Sequence, residues 1–430
     1  MTLLIKNGRI VDPATKRDGV ADLLVQDGKI ARTGTRLRAP RGATVIDAEG
    51  CIVAPGFVDM HVHLREPGRE DKETIASGSR AAAAGGFTSI CPMANTDPPC
   101  DSAQGLQFLL SRAHEIAVVN IFPIAAVTRG LGGESITEFG DLVYYGAVAF
   151  SDDGRPIMNS EIMRRALEYT SMFNVPVLDH CEDLNLSEGG QMRAGDVATK
   201  LGLKGIPGAA NSTQVARDID LADYTGGRVH ICHVSVRRSV EYIRAAKARG
   251  VRVTCEATPH HLTLTDEAML GYDTNFKMSP PLGAESDRQA LLEGLRDGTI
   301  DCIATDHAPH TDMEKDRVMS EAPSGVIGLE SAFPILYTDL VLKKQLGLKR
   351  LIEAMTIAPA RVLRLPKGTL ADGADADIAV LDLDERFVID PQKFFSRSHN
   401  CPFAGREVRG HSVATIVGGR VVYRDGKIVG

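Results

Sequence analysis

A chain of 430 residues with 43% hydrophobic and 24% charged side chains can bury a large core, which excludes a disordered chain and a small scaffold needing staples. A formal charge of −7 without any Lys/Arg-rich run excludes a nucleic-acid footprint and leaves a small molecule as the expected partner. No apolar run approaches the roughly 20 residues of a membrane-spanning helix, so no membrane partner is expected and the cytoplasm is the default location.

The first fifty or so residues alternate short β-type runs (LLIKNGRIV, ADLLVQDGKI, ATVIDAEGCIV) with Gly/Asp turns, the pattern of antiparallel hairpins. From about Leu365 the texture returns in ADIAVLDLD and EVRGHSVATIVGGRVVYRDGKIVG. Residues 1–54 and 365–430 are therefore expected to pair into one small, sandwich-like β domain. Between them, residues 55–364 change rhythm. Eight short apolar runs, GFVDMHVHL, GFTSICPM, VVNIFPIAA, GAVAFSDD, VPVLDHCE, RVHICHVS, VRVTCEATPHH and DCIATDHAPH, read as strands. The stretches KETIASGSRAAAAG, SEIMRRALEYTSMF and SVEYIRAAKARG between them have helical spacing. Strands without polar alternation are buried on both faces, so the expected fold class is α/β, a (β/α)8 TIM barrel. Eight cysteines are scattered without a CxxC pair and read as reduced core residues rather than a zinc ribbon or a disulfide framework.

Chemistry in such a barrel sits at the C-terminal ends of the strands. His61 and His63 lie two apart at the end of the first candidate strand, where period-two geometry turns both imidazoles to one side. Asp153 ends the fourth, His180 the fifth, His233 the sixth and Asp306 the eighth, so six nitrogen or oxygen donors from five strands are expected on one rim. Singly, each has a plain alternative: a polar residue satisfied at a strand end, or, for Asp152-Asp153-Gly154, a turn. Imidazole and carboxylate donors without thiolates suit a catalytic Zn²⁺ rather than a closed structural site.

At these residues the chain resembles the class I dihydroorotases of the amidohydrolase superfamily. The resemblance covers essentially the whole chain and rests on HVHLREPG (61–68), MANTDPP (93–99), FSDDG (150–154), LDHCED (178–183), ICHVS (231–235), TPHHL (258–262) and ATDHAPH (304–310). It implies one zinc on His61, His63 and Asp306, a second on His180 and His233, and Asp153 as the bridging carboxylate, with occupancy by one or two ions left open. Many relatives bridge their metals with a carbamylated lysine, which GAVAFSDDG does not offer. The resemblance further implies substrate contacts from His63, Arg65 and Asn95, from Ser279 and His310, and from the backbone at Ser324 and Gly325. A guanidinium fork at Arg65 suits a carboxylate. Two positions depart from the pattern: Ser279 stands where many class I enzymes have Asn, and Gly283 where they have Arg.

The implied reaction is reversible hydrolysis of the ring amide of dihydroorotate to N-carbamoyl-aspartate, with Asp306 moving the proton or serving only as a ligand. Two other readings stay open: a cyclic amidohydrolase for a hydantoin, dihydropyrimidine or allantoin, and a noncatalytic subunit of an aspartate carbamoyltransferase assembly. Docking of an active enzyme on that transferase also stays open. A symmetric homodimer is the default soluble assembly.

Overall fold

The computed structural model describes residues 2–429. Thr2–Asp12, Arg17–Gln26 and Lys29–Gly34 form an antiparallel meander. Its second turn is Asp27-Gly28, both at positive φ, the two-residue hairpin geometry that Asp-Gly favours. Ile52–Pro55 then runs between Thr2–Asp12, which it pairs in parallel, and Ile378–Val388, which it pairs antiparallel. Glu407–Val417, Arg420–Arg424 and Lys427–Ile428 continue the ladder, so segments from both ends of the sequence share a nine-stranded sheet. Lys29–Gly34 and Glu407–Val417 are five strand spacings apart along that ladder, ~24 Å if the sheet were flat. A Cβ on Gly28 would nevertheless lie 3.1 Å from the carbonyl oxygen of Gly418. The sheet therefore curls onto itself, and Leu3, Ile5, Leu23, Val25, Ile30, Ile378, Val380 and Ile416 fill one core inside it.

The eight expected barrel strands are all present: Phe57–Val62, Phe87–Pro92, the segment 120–125, Ala149–Phe150, Val177–Asp179, Val229–Ile231, Val253–Ala257 and Cys302–Ile303. Their pairings are parallel. By hydrogen bonding they form a three-stranded and a six-stranded sheet, and the two meet within segment 120–125, which Phe122 and Pro123 interrupt. At the other seam Val62 bridges His307, and the His63 amide donates to the His307 carbonyl at 2.9 Å. Asp59 reinforces this seam from inside: its carboxylate accepts from the amides of His61 and Thr305 at 3.1 Å each and from the Thr305 hydroxyl at 2.6 Å. The three helical stretches read from the sequence form Ile75–Ala84, Ser160–Ser171 and Arg237–Ala248. Seven of the eight cysteines are buried, and all are free thiols. Among the described residues no helix is long and apolar enough to cross a membrane.

The β domain is fastened to the barrel rather than tethered beside it. The Thr415 hydroxyl donates to the Ala83 carbonyl at 2.7 Å, and Leu381, Val422 and Tyr423 join the barrel's own core. Residues 389–406 break the β texture. Apart from the short turn Pro391–Lys393 they are irregular, and they run toward the barrel's loops.

Candidate metal and substrate site

The six donors meet at one end of the barrel, and Asp153 stands at their centre. Its Oδ2 lies 3.3 Å from His61 Nε2 and 3.4 Å from His63 Nε2. Its Oδ1 lies 3.4 Å from His233 Nε2 and 3.6 Å from His180 Nδ1. One carboxylate thus spans two histidine pairs. Asp306 Oδ1 closes the first side, 3.2 Å from His63 Nε2 and 3.6 Å from His61 Nε2. The adjacent Asp152 does something else: it accepts from the amides of Val127 and Thr128 at 2.8 and 3.0 Å and fixes the turn that presents Asp153. The turn reading of the Asp-Asp-Gly string therefore falls to Asp152, while Asp153 faces the histidines.

Partners behind the imidazoles set which nitrogen faces inward. His61 Nδ1 is 2.7 Å from Glu256 Oε1, whose other oxygen is 3.2 Å from His230 Nε2. His63 Nδ1 is 2.9 Å from the Asn95 side-chain oxygen, and the Asn95 amide donates to the Asp153 carbonyl at 3.1 Å. His180 Nε2 is 3.1 Å from Glu182 Oε2, and its Nδ1 is 2.9 Å from His233 Nε2. A carboxylate or amide behind a ring fixes its tautomer and raises its basicity as a ligand.

Buried polar atoms are normally paired. Here His61 Nε2, Asp153 Oδ1 and His233 Nδ1 are buried and lack a hydrogen-bond partner. The triplets His61/His233/Asp306 and Asp153/His180/His233 each bring three possible ligand atoms within 4.8 Å of one another. Electrostatics agree. Burial disfavours charge on His61, yet Asp153, Glu256 and Asp306 overcome it and raise the ring well above its usual pKa. Burial likewise opposes charge on His180, which the facing carboxylates of Asp153 and Glu182 bring to about 10. Against the same burial, the histidines hold Asp153 and Asp306 below the ordinary carboxylate range. The site is a concentration of negative potential and inward-facing lone pairs suited to a cation. His233 (φ 32°), Asp306 (φ 48°) and the nearby Arg65 (φ 60°) all occupy left-handed backbone, uncommon outside glycine and held here by the surrounding packing.

A cavity of about 240 Å³ opens onto these donors. All seven residues expected to touch substrate line it: His63, Arg65, Asn95, Ser279, His310, Ser324 and Gly325. Burial lowers the Arg65 guanidinium only to about 10, so it stays charged at neutral pH. Ser279 Oγ is 3.4 Å from Glu182 Oε2. At Gly283 an added Cβ would come within 2.8 Å of Asp287 Cβ, so a larger residue there requires Asp287 to move. His310 donates from Nε2 to the Ser324 carbonyl at 2.9 Å and accepts at Nδ1 from Lys72 Nζ at 3.3 Å.

Sequence reasoning missed Glu256, Glu182 and Lys72. Glu256 carried a legible signal, a lone carboxylate inside the otherwise apolar strand run VRVTCEA. Lys72 carried none, because it sits in the charged loop string REDKE and only the fold buries it.

Residues 50–239 match the family described as Dihydro-orotase-like, and residues 213–423 the Amidohydrolase family. A dihydroorotase of Pelotomaculum thermopropionicum is 55% identical over 425 residues, 99% of each chain. The chain belongs to the dihydroorotase family. A dihydroorotase of Anaeromyxobacter dehalogenans is 51% identical over 427 residues, 99% of this chain and 98% of that one. Among solved structures, the L-hydantoinase (dihydropyrimidinase) of Arthrobacter aurescens superposes with a TM-score of 0.90 at 28% identity, covering 100% of this chain and 97% of its own. The D-hydantoinase (dihydropyrimidinase) of Thermus sp. gives 0.84 at 29%, covering 100% and 96%. Dihydroorotase membership and a hydantoinase-like backbone are compatible, because a scaffold is shared more widely than the site built on it.

Proposed function

We propose that this site interconverts (S)-dihydroorotate and N-carbamoyl-L-aspartate by hydrolysis and closure of the ring amide, the cyclisation step of de novo pyrimidine synthesis. The observation that carries the reading is Asp153 set between two histidine pairs in one cavity with Arg65. His61, His63 and Asp306 would hold one Zn²⁺ and His180 and His233 a second, with Asp153 shared. The unpartnered buried donors described above support this fit. Bound zinc would polarise the amide carbonyl and acidify water so that hydrolysis runs at neutral pH.

The protein groups do the rest. Arg65 takes the substrate carboxylate in a bidentate ion pair, and Asn95 holds His63 in register beside it. Asp306, ionised and facing the cavity, accepts the proton of the attacking water and passes it to the departing ring nitrogen. Neutral His310 and the backbone at Ser324 and Gly325 bound the ring, with Ser279 offering one hydroxyl. Its organisation is a barrel (55–364) completed by residues 1–54 and 365–430, its place of work is the cytoplasm, and a symmetric homodimer is the assembly that sedimentation should test. Assembly with an aspartate carbamoyltransferase is a matter for co-sedimentation of the two proteins.

The test is an assay of zinc-supplemented protein on dihydroorotate, dihydrouracil, hydantoin and allantoin, with bound zinc counted in the same sample. Turnover of dihydroorotate alone is expected. Preference for a neutral ring would overturn the substrate assignment, and two zinc ions bound without any turnover would overturn the claim of autonomous activity.

A further inference from the structure

The irregular stretch after Pro391–Lys393 comes from the C-terminal part of the chain, yet it lies against the barrel's substrate loops. Ser398 Oγ donates to the Lys72 carbonyl at 2.8 Å, and His399 Nδ1 is 3.3 Å from Asp312 Oδ2. Asn400 goes deepest. It is 2% exposed, and its side chain makes three hydrogen bonds. Nδ2 donates to the Ala308 carbonyl at 3.1 Å and to the Gly325 carbonyl at 3.0 Å, while Oδ1 accepts the His310 amide at 3.2 Å. Its own carbonyl accepts the Ile327 amide at 3.0 Å.

Ala308, His310 and Gly325 all line the substrate cavity, and Asn400 does not. The two loops they belong to touch by a short parallel bridge, His307 to Val326, and beyond it the Asn400 amide is a donor shared by the Ala308 and Gly325 carbonyls, the latter also accepting from Lys315 Nζ at 3.1 Å. Without that shared donor the buried Ala308 carbonyl loses its partner and the link between the two loops is broken, while Lys315 still serves Gly325. The approach is already tight: a Cβ on Gly325, at φ 129°, would come within 2.9 Å of Ala308 Cβ and 3.1 Å of His310 Cδ2.

We infer that Asn400 is a positioning residue for substrate: the C-terminal segment completes the pocket by clamping the loops that carry Ala308, His310 and Gly325. Asn400 acts through those residues and touches neither substrate nor the metal donors. The inference rests on the dihydroorotase reading for its substrate, and its test includes a readout independent of turnover.

Asn400→Ala and the near-isosteric Asn400→Asp would be loaded with zinc and compared with the unaltered protein in bound metal, in kcat and KM for dihydroorotate, and in amide hydrogen exchange. Expected are unchanged zinc, a KM raised about tenfold with kcat within about threefold, and faster exchange confined to 306–311 and 324–327. The oxygen replacing Nδ2 would face the Ala308 and Gly325 carbonyls, which favour its protonated form, against the His310 amide and Lys315 Nζ, which favour the ionised one; once protonated it donates again. The KM ratio of Asn400→Asp to the unaltered protein is therefore expected to fall between pH 8 and pH 6. Unaltered KM and loop exchange in both variants would overturn the inference, as would zinc loss with faster exchange across Val229–Ile231 and Val253–Ala257, which would assign Asn400 to general stability. If the unaltered protein leaves dihydroorotate untouched, the substrate assignment fails separately, and local against global exchange still decides the positioning role.

Discussion

Glu256 shows how much of a metal site lies behind its ligands. Fully buried and held near pKa 2, against its own burial, by His61 and His230, it supplies the charge that turns His61 Nε2 inward. Glu256→Gln keeps the shape and removes the charge, and a fall in zinc affinity of about 10–100-fold is expected. Competition with a chromophoric chelator measures it; an unchanged affinity would show that packing alone orients His61. His310 gives the second expectation at this scale. Burial, with Arg65, Lys72 and Lys315 nearby, lowers its pKa to about 3. The unfolded chain therefore takes up this proton first as pH falls below about 6.5, so the stability that neutral His310 contributes is full above that pH and is lost toward pH 3. The loss reaches the order of 2 kcal/mol at pH 5. His310→Gln lacks this term, so melts of the two proteins should converge on acidification from pH 7 to pH 5. Parallel curves would refute it.

At the scale of strands and loops, the first two barrel strands meet at a point with no spare room. A Cβ on Gly56 would lie 2.1 Å from Thr88 Oγ1 and 2.6 Å from its Cβ, and Thr88 is itself buried. Gly56→Ala must push Phe57–Val62 away from Phe87–Pro92, at a cost of about 1–3 kcal/mol. Because His61 and His63 ride on that strand, Tm and zinc affinity should fall together; a lower Tm with intact affinity would confine the strain to the strand's start. This scale also separates what the sequence could disclose from what it could not. Barrel strands were legible because burial on both faces leaves continuous apolar runs, and His61, His63, Asp153, His180, His233 and Asp306 because they punctuate the ends of those runs. Asn400 was illegible: nothing in SRSHNCPF has a period, and its importance arises from which carbonyls it meets, those of Ala308 and Gly325, 92 and 75 positions earlier in the chain. Lys72 was hidden for the same reason, since its partner His310 is 238 positions away, whereas Glu182 stands only two positions from its partner His180 in LDHCED.

For the molecule as a whole, a cluster of buried carboxylates and imidazoles is stable only with compensating positive charge. Removing zinc with a chelator should lower Tm, and adding it back should restore Tm in a concentration-dependent way, since a ligand bound only by the folded state stabilises it by mass action. Indifference of Tm to chelation would mean that protons alone balance the site.

The curled sheet carries a consequence for synthesis. Ile378–Leu381 must pair with Ile52–Pro55, a strand made more than 300 residues earlier. At about 5–20 residues per second, the apolar edge of Ile52–Pro55 waits on the order of 15–65 s for its neighbour while the whole barrel emerges. An unpaired strand edge is a template for wrong partners. A ribosome-bound chain of this protein therefore has a built-in interval of vulnerability, during which a chaperone that shields exposed strand edges would raise the yield of folded enzyme without altering its final stability.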